Sequence, residues 1–150
     1  MKLALMFLLL FSFNLQAKEV KTRDFTIEID DSCRIMRNAP WKLIGGCENG
    51  GFFIEYATRS KTRKVKKIED KMNSKIRHPH ISYKFKDKEC SPSSVACYVE
   101  GIDLQGRQQH YYYGKANKFT FLISYNAPAD IEPVDKFVRE LADKLFKAGI

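Results

Sequence analysis

Apolar and polar residues alternate along several short segments of the chain, with the period of two that is typical of half-buried β-strands. Residues 24–30 and 81–85 follow this pattern, and each places three apolar side chains on one face. Residues 52–58 are apolar on both faces, which indicates a central strand that is covered on both sides. Residues 31–50 are rich in Gly, Asn and Asp, and they predict a long loop.

Three further strands are predicted at residues 96–102, 108–113 and 119–125. The connections between them, residues 103–106 and 114–117, are short and contain glycine. Connections of this length join neighbouring antiparallel strands, so residues 96–125 predict a three-stranded meander.

Two segments have the helical period instead. Residues 61–76 carry a narrow apolar stripe, and a broader stripe begins after Pro133 and ends before Gly149. Strands that are grouped around two helices, without strict alternation, favour an α+β fold. We therefore expect an antiparallel sheet of about six strands, with a basic mid-chain helix and a C-terminal amphipathic helix packed on it.

The N-terminal segment has the features of a secretory signal peptide. Lys2 precedes an apolar run over residues 3–15, and Leu15-Gln16-Ala17 offers a cleavage site. The alternative is a retained anchor, but the run is too short to cross a bilayer comfortably. We expect cleavage after Ala17, a periplasmic or secreted location, and one domain over residues 18–150.

Export changes the interpretation of the four cysteines, because disulfides form in oxidising compartments. Three pairings are possible, and Cys33–Cys47 with Cys90–Cys97 is favoured because each pair is close in sequence and brackets a turn. A zinc site is the alternative, but no pair has the C-x-x-C spacing.

Positive charge is concentrated in one stretch. Residues 61–77 contain eight basic and two acidic residues, a net charge of +6 in a chain whose total is +8. The stretch is either a solvated face or a surface that captures an acidic protein, or an anionic glycan or lipid. No nucleic-acid-binding motif is present, so nucleic acid is not an expected partner. The candidate binding residues are Lys61, Arg63, Lys64, Lys66, Lys67, Lys71, Lys75 and Arg77.

Two aromatic residues are added to the candidate binding surface. Trp41 lies in the predicted loop, where it is either part of the core or a residue that stacks on a ligand. Tyr112 is the middle residue of a Tyr-Tyr-Tyr run, so its side chain points to the opposite face from its two neighbours. It either covers the sheet or joins a binding patch.

The sequence has no constellation typical of an enzyme: G-x-S-x-G, H-E-x-x-H and G-x-G-x-x-G are all missing. We predict a protein without catalytic residues or cofactors. The alternative is a small metal-assisted hydrolase that uses His78, His80 and His110, which would have to converge on one metal ion.

The order of these elements is similar to that of a PsbP-like domain. The resemblance is carried by an F-x-I-x-I strand at residues 25–29, a Trp in the next loop, the segment HYYYGKANKFTFLISYNAP at residues 110–128, and the closing helix VDKFVRELADKLF at residues 134–146. It implies an exported, non-catalytic binding or assembly factor. We therefore expect a binding protein for a protein partner, acting as an inhibitor or an immunity factor.

Overall fold

The computed structural model describes residues 17–87, 90, 93–132 and 134–150. Apart from Ala17, the predicted signal peptide lies outside the described residues, and so does Pro133. The described residues form nine strands and two helices: β1 (Ala17–Lys21), β2 (Thr26–Asp30), β3 (Arg34–Ala39), β4 (Lys42–Cys47), β5 (Gly50–Thr58), α1 (Thr62–Ile76), β6 (Ser82–Lys86), β7 (Ala96–Ile102), β8 (Gln108–Lys115), β9 (Phe119–Ala127) and α2 (Val134–Ala148).

Seven of the strands form one antiparallel sheet in the order β3-β4-β5-β9-β8-β7-β6, and β1 pairs with β2 in a separate hairpin. The α+β class is confirmed. The meander over residues 96–125 is present as β7, β8 and β9, and β5 lies centrally between β4 and β9 as expected. The sheet is larger than the predicted six strands, although the strand predicted at residues 24–30 lies outside it and pairs with β1 as β2.

The difference comes from residues 31–50, where the predicted loop is wrong. Most of this segment forms the hairpin of β3 and β4, which turns at Pro40 and Trp41. The glycines of β4 suggested a loop, but Gly45 serves close packing: a Cβ atom there would lie 2.4 Å from the Phe52 ring. Glycine is therefore used here to admit an aromatic ring against the backbone.

The two helices cover opposite faces of the sheet, and each buries an apolar stripe. On one face, Ile68 and Met72 of α1 pack with Leu122 of β9. On the other face, Val138 and Leu145 of α2 pack against the sheet together with side chains of the β1–β2 hairpin. The predicted helix stripes are both confirmed, and they form two separate cores that share the central strands. No helix in the described part of the chain has the length and apolar character needed to cross a bilayer.

Both predicted disulfides are present. Cys33–Cys47 joins the open end of the β3–β4 hairpin, and Cys90–Cys97 joins the segment before β7 to the start of that strand. The side chain of Asn73 on α1 also holds the backbone of Cys90. Its Nδ2 donates to the Cys90 carbonyl at 2.8 Å, and its Oδ1 accepts from the Cys90 amide at 2.7 Å. Cys90 is therefore tied both to β7 and to α1.

Truncation of Leu145 to Ala tests the packing of α2. Leu145 is fully buried, so the loss of its side chain should lower the free energy of unfolding by about 2–5 kcal/mol in urea denaturation. Asp143→Ala on the exposed side of the same helix is the control, with an expected change below about 0.5 kcal/mol. Equal effects of the two substitutions would contradict this packing.

Candidate functional site

The basic residues of the 61–77 stretch lie along α1 and at its two ends. Lys61, Arg63, Lys64, Lys66, Lys67 and Arg77 are exposed, whereas Lys71 and Lys75 are partly buried against the sheet. Among the described residues, Lys66 forms an ion pair with Asp70 at 3.3 Å, and Lys71 forms one with Glu55 of β5. Lys61, Arg63, Lys64 and Lys67 are exposed along the helix and present their positive charge to solvent.

Trp41 occupies the turn between β3 and β4 in an uncommon backbone conformation. Its φ angle is 71°, and no other non-glycine residue among those described has a positive φ. The turn follows Pro40, and Trp41 takes the position that usually requires glycine in a turn of this kind. Its carbonyl accepts a hydrogen bond from the Tyr56 amide at 3.0 Å. A bulky side chain in the left-handed region is strained, and strained residues cluster at functional sites.

The half-buried Trp41 ring lies next to two cations. The Nζ atom of Lys64 is 4.1 Å from the ring centroid, and the Cζ atom of Arg23 is 5.1 Å from it. Both distances are within the range of cation–π attraction. The structure thus joins two predicted binding residues, Trp41 and Lys64, and adds Arg23. Nothing in the sequence pattern singled out Arg23, which lies in the distant β1–β2 turn.

Two aromatic rings on the α1 face of the sheet also lie close to cations. Lys71 is 5.3 Å from the centroid of Phe53, and Lys75 is 5.1 Å from that of Tyr111. These two rings lie beside α1, whereas Trp41 packs against the core of the α2 face and reaches α1 only through Lys64. We call Trp41, Arg23 and the α1-side residues Lys61, Lys64, Lys67 and Lys71 the basic surface.

Tyr112 does not belong to the basic surface. It lies on the α2 face of the sheet, where its ring centroid is 6.4 Å from those of Phe121 and Phe146. Its neighbour Tyr113 points towards α1, is fully buried, and donates a hydrogen bond to Glu69 Oε1 at 3.0 Å. The structure therefore assigns Tyr112 to the cover of the sheet.

The three histidines do not converge. His78 and His80 follow α1, with ring centroids 5.7 Å apart, whereas His110 is buried on the α2 face of the sheet. Within the described ranges, no group of three or more His, Cys, Asp or Glu side chains is arranged to hold a metal ion. The structure does not assemble the residues that a metal-assisted hydrolase would need.

His110 instead belongs to a buried polar cluster. Its Nδ1 lies 2.8 Å from the Tyr98 hydroxyl, which lies 2.8 Å from Glu100 Oε2, and its Nε2 lies 3.0 Å from Gln108 Oε1. The Gln108 amide donates to the carbonyls of Pro128 at 2.9 Å and of Ile131 at 2.5 Å. The cluster therefore ties the segment before α2 to the sheet.

Burial shifts the titration of this cluster. Burial lowers the pKa of the His110 imidazole, although the Glu100 carboxylate opposes the shift. Burial, together with the Glu100 carboxylate, raises the pKa of the Tyr98 hydroxyl. The tyrosine therefore stays protonated, and its single hydrogen is shared between two acceptors when the imidazole is neutral. These residues form a buried hydrogen-bonded network that joins β7, β8 and the segment before α2.

Comparison with known proteins shows a likeness of fold. No protein-family model matches the chain, and no curated protein matches its sequence. A solved structure of a single-residue mutant of protein Mog1 matches with a TM-score of 0.50 and 9% identity, over 89% of this chain and 94% of that one. The Saccharomyces cerevisiae Ran-binding protein Mog1p matches with a TM-score of 0.46 and 9% identity, over 89% and 90% of the two chains.

The match with a TM-score of 0.50 corrects the resemblance to PsbP-like domains. That structure is a Mog1 protein, so the PsbP-like assignment is wrong. That assignment was based on the order of elements and on aromatic spacing, and both features fit more than one α+β fold. At this level of identity, the likeness to Mog1 describes the chain fold alone.

Comparison of glycine and alanine at position 41 tests the strain in the turn. Both substitutions remove the ring, but glycine tolerates positive φ, so Trp41→Gly should be more stable than Trp41→Ala by about 1 kcal/mol. At Lys42, an exposed strand position, the order should reverse because glycine weakens a strand. Urea denaturation of the four variants measures both differences. A Trp41→Ala variant that is as stable as Trp41→Gly, or more stable, would contradict a left-handed Trp41.

The His110 cluster predicts an acid-sensitive stability. The folded state has a lowered His110 pKa, so the unfolded state binds more protons as pH falls below the ordinary imidazole value of about 6.5. Stability should therefore fall with pH in that window, and less so in His110→Gln. Urea denaturation at pH 7.5 and 5.5 measures this. The control is His80→Gln at an exposed site, which should lose as much stability in acid as the parent protein. If His110→Gln also loses as much stability as the parent, His110 is not the cause of the acid sensitivity.

Proposed function

We propose that this chain is an exported, non-enzymatic binding protein that captures an acidic protein partner on the basic surface, and that it acts as an inhibitor or an immunity factor. The observation that carries the proposal is Trp41, held at positive φ in a hairpin turn with Lys64 and Arg23 against its ring.

The conformation of the turn supports this role because it costs stability. Glycine or asparagine at position 41 would suit the turn better. The tryptophan ring is half-exposed at the tip of the hairpin. A fully buried ring would stabilise the fold more. Tryptophan and arginine are also the residues that contribute most to binding energy in protein interfaces.

The charge of α1 favours an acidic partner. The stretch from residue 61 to residue 77 has a net charge of +6, which is most of the charge of the chain. A surface with this concentration of one sign of charge accelerates association with a complementary partner, and it selects against basic ones. An acidic protein surface supplies carboxylates that pair with the lysines. It also supplies peptide groups that can pack against the ring of Trp41.

Export is supported by the N-terminal sequence and by the two disulfides. The segment up to Ala17 has the signal-peptide pattern, and both cysteine pairs are bonded. Disulfides persist in the periplasm and outside the cell, where an inhibitor or an immunity factor would meet its partner. The residues of the basic surface, rather than any likeness of fold, carry the argument for binding.

Charge reversal tests the proposal. We expect Lys64→Glu/Lys67→Glu and Trp41→Ala each to weaken binding to immobilised poly-glutamate by about tenfold, which corresponds to roughly 1.4 kcal/mol. Binding of the parent should also weaken steeply as salt rises, because the contacts are between exposed charges. Affinity can be measured by surface plasmon resonance at several salt concentrations.

The matched control is Lys136→Glu/Lys147→Glu, which makes the same change in net charge on the exposed side of α2. It should leave most of the affinity intact. Equal losses in both double variants would show that net charge alone controls binding and would overturn the proposed surface. Heparin and phosphatidylglycerol vesicles are the comparison probes: tighter binding to either than to poly-glutamate would reassign the surface to a glycan or a lipid.

A further inference from the structure

A partly enclosed pocket of about 260 Å³ lies at the end of the β3–β4 hairpin opposite the Trp41 turn. Its walls are formed by residues at the end of β2, in the turn between β4 and β5, and along one side of α2. Cys47 is one of these wall residues, and its disulfide joins this wall to Cys33 in the turn after β2. No residue of the basic surface lines the pocket, so the two are separate parts of the molecule.

The floor of the pocket is apolar and largely aromatic. Its buried side chains include those of Ile29, Phe52, Tyr125 and Leu141. The half-buried ring of Phe137 completes the floor, and its centroid lies 4.9 Å from that of Tyr125. A floor of this kind holds the apolar body of an organic ligand, while a few polar groups fix its orientation. The faces of aromatic rings also attract cations.

The edge of the pocket is acidic. Four carboxylates and one ammonium group line it, those of Asp30, Glu48, Glu132, Glu140 and Lys144. Glu48 and Glu132 have no ion-pair partner within the described chain. Hydrogen bonds from Ser32 lower the pKa of the Asp30 carboxyl, and Lys144 adds to the shift, so Asp30 remains charged. In a chain with a net charge of +8, this local excess of negative charge selects for a cation.

The hydroxyl of Tyr125 supplies a second, independent observation. Tyr125 is 2% exposed, and burial alone raises the pKa of its hydroxyl, because no hydrogen bond within the described chain contributes. The hydroxyl end of the ring lies over Gly50, where an added Cβ atom would be 2.9 Å from Tyr125 Cζ. The two residues before Gly50 are Glu48 and Asn49, which line the pocket, so the hydroxyl reaches the acidic edge. A buried hydroxyl without a partner is costly unless a ligand or water satisfies it.

We infer that this pocket binds a primary ammonium ion that is carried on an apolar stem. The stem packs on the aromatic floor, and the ammonium group donates hydrogen bonds to the Tyr125 hydroxyl oxygen and to carboxylates at the edge. An inorganic cation would gain nothing from the apolar floor, so only an organic cation uses both parts of the pocket. The inference goes beyond the proposed function, because this ligand has the opposite charge to the acidic partner and occupies a different part of the molecule.

The first test compares three probes with the same five-carbon chain: n-pentylammonium, 1-pentanol and pentanoate. Backbone amide chemical shifts of Glu48, Asn49 and Glu132 should change in a saturable manner with pentylammonium, and those of Lys64 and Lys67 on α1 should not. We expect pentylammonium to bind about tenfold more tightly than pentanol, because charge-assisted hydrogen bonds are stronger than neutral ones, and pentanoate not to bind. Equal or tighter binding of either comparison probe, or no saturable shift at the pocket, would overturn the site.

Two single variants separate binding from folding. Tyr125→Phe keeps the ring and removes only the hydroxyl, so it should weaken binding of pentylammonium about threefold without weakening that of pentanol. Its stability in urea should not fall, because the hydroxyl makes no hydrogen bond within the described fold. Lys144→Gln should strengthen binding of pentylammonium about twofold, a gain that a merely destabilised protein would not show. Unchanged affinity in both variants would overturn the site.

Removal of charge from the edge has a matched control. Glu48→Gln/Glu132→Gln should weaken binding of pentylammonium about threefold. Glu19→Gln/Glu28→Gln makes the same change in net charge at exposed positions of β1 and β2 outside the pocket, and it should keep the affinity of the parent. Equal losses in the two double variants would show that net charge alone controls binding and would overturn the site.

Two further probes separate the sources of such a cation. Cadaverine represents a free diamine, and Nα-acetyl-lysine methylamide represents a lysine side chain of a protein. Tighter binding of cadaverine would assign a free amine as the ligand, and tighter binding of the lysine derivative would assign a protein segment; either result supports the inferred chemistry. Failure of both to displace pentylammonium would overturn it.

Discussion

The pairing of β5 with β9 is the constraint on which the rest of the structure depends. Both strands are nine residues long, they lie at the centre of the seven-stranded sheet, and they carry buried side chains on both faces. A strand that is apolar on both faces must be covered twice, and α1 and α2 supply the two covers. Helix α1 buries only a narrow apolar stripe against the sheet. The rest of its surface is exposed and carries the lysines of the basic surface.

The sequence predicted the fold where hydrophobic periodicity was strong. Strands β7 to β9, both helices and the two disulfides agree with the expectation because their patterns are long or are bracketed by short turns. The hairpin of β3 and β4 was missed because Gly45 and Gly46 are typical loop residues. Only the close approach of the Phe52 ring explains glycine in a strand there, and that contact depends on the tertiary structure.

The candidate site was predicted in part. A run of lysines and a single tryptophan can be recognised in any sequence, and Trp41 and Lys64 were both singled out. Their contact could not be predicted, because it depends on how the β3–β4 turn lies against the start of α1. Arg23 carries no local signal, because its contact with the Trp41 ring joins residues far apart in the chain. Tyr112 was placed on a strand correctly, but the helix that covers its face could not be identified from periodicity.

The disulfide between Cys33 and Cys47 has a consequence for the strained turn. It closes the end of the β3–β4 hairpin opposite Trp41, so residues 33–47 form a covalent macrocycle with the tryptophan at its far tip. A linear hairpin could relieve a left-handed residue by fraying from its open end, and the ring of covalent bonds prevents this. The Trp41 turn therefore has its binding conformation in the free protein, and less conformational entropy is lost when a partner binds. In a reducing compartment the same peptide segment would lose this constraint, so the chemistry of the surroundings sets the rigidity of the tip.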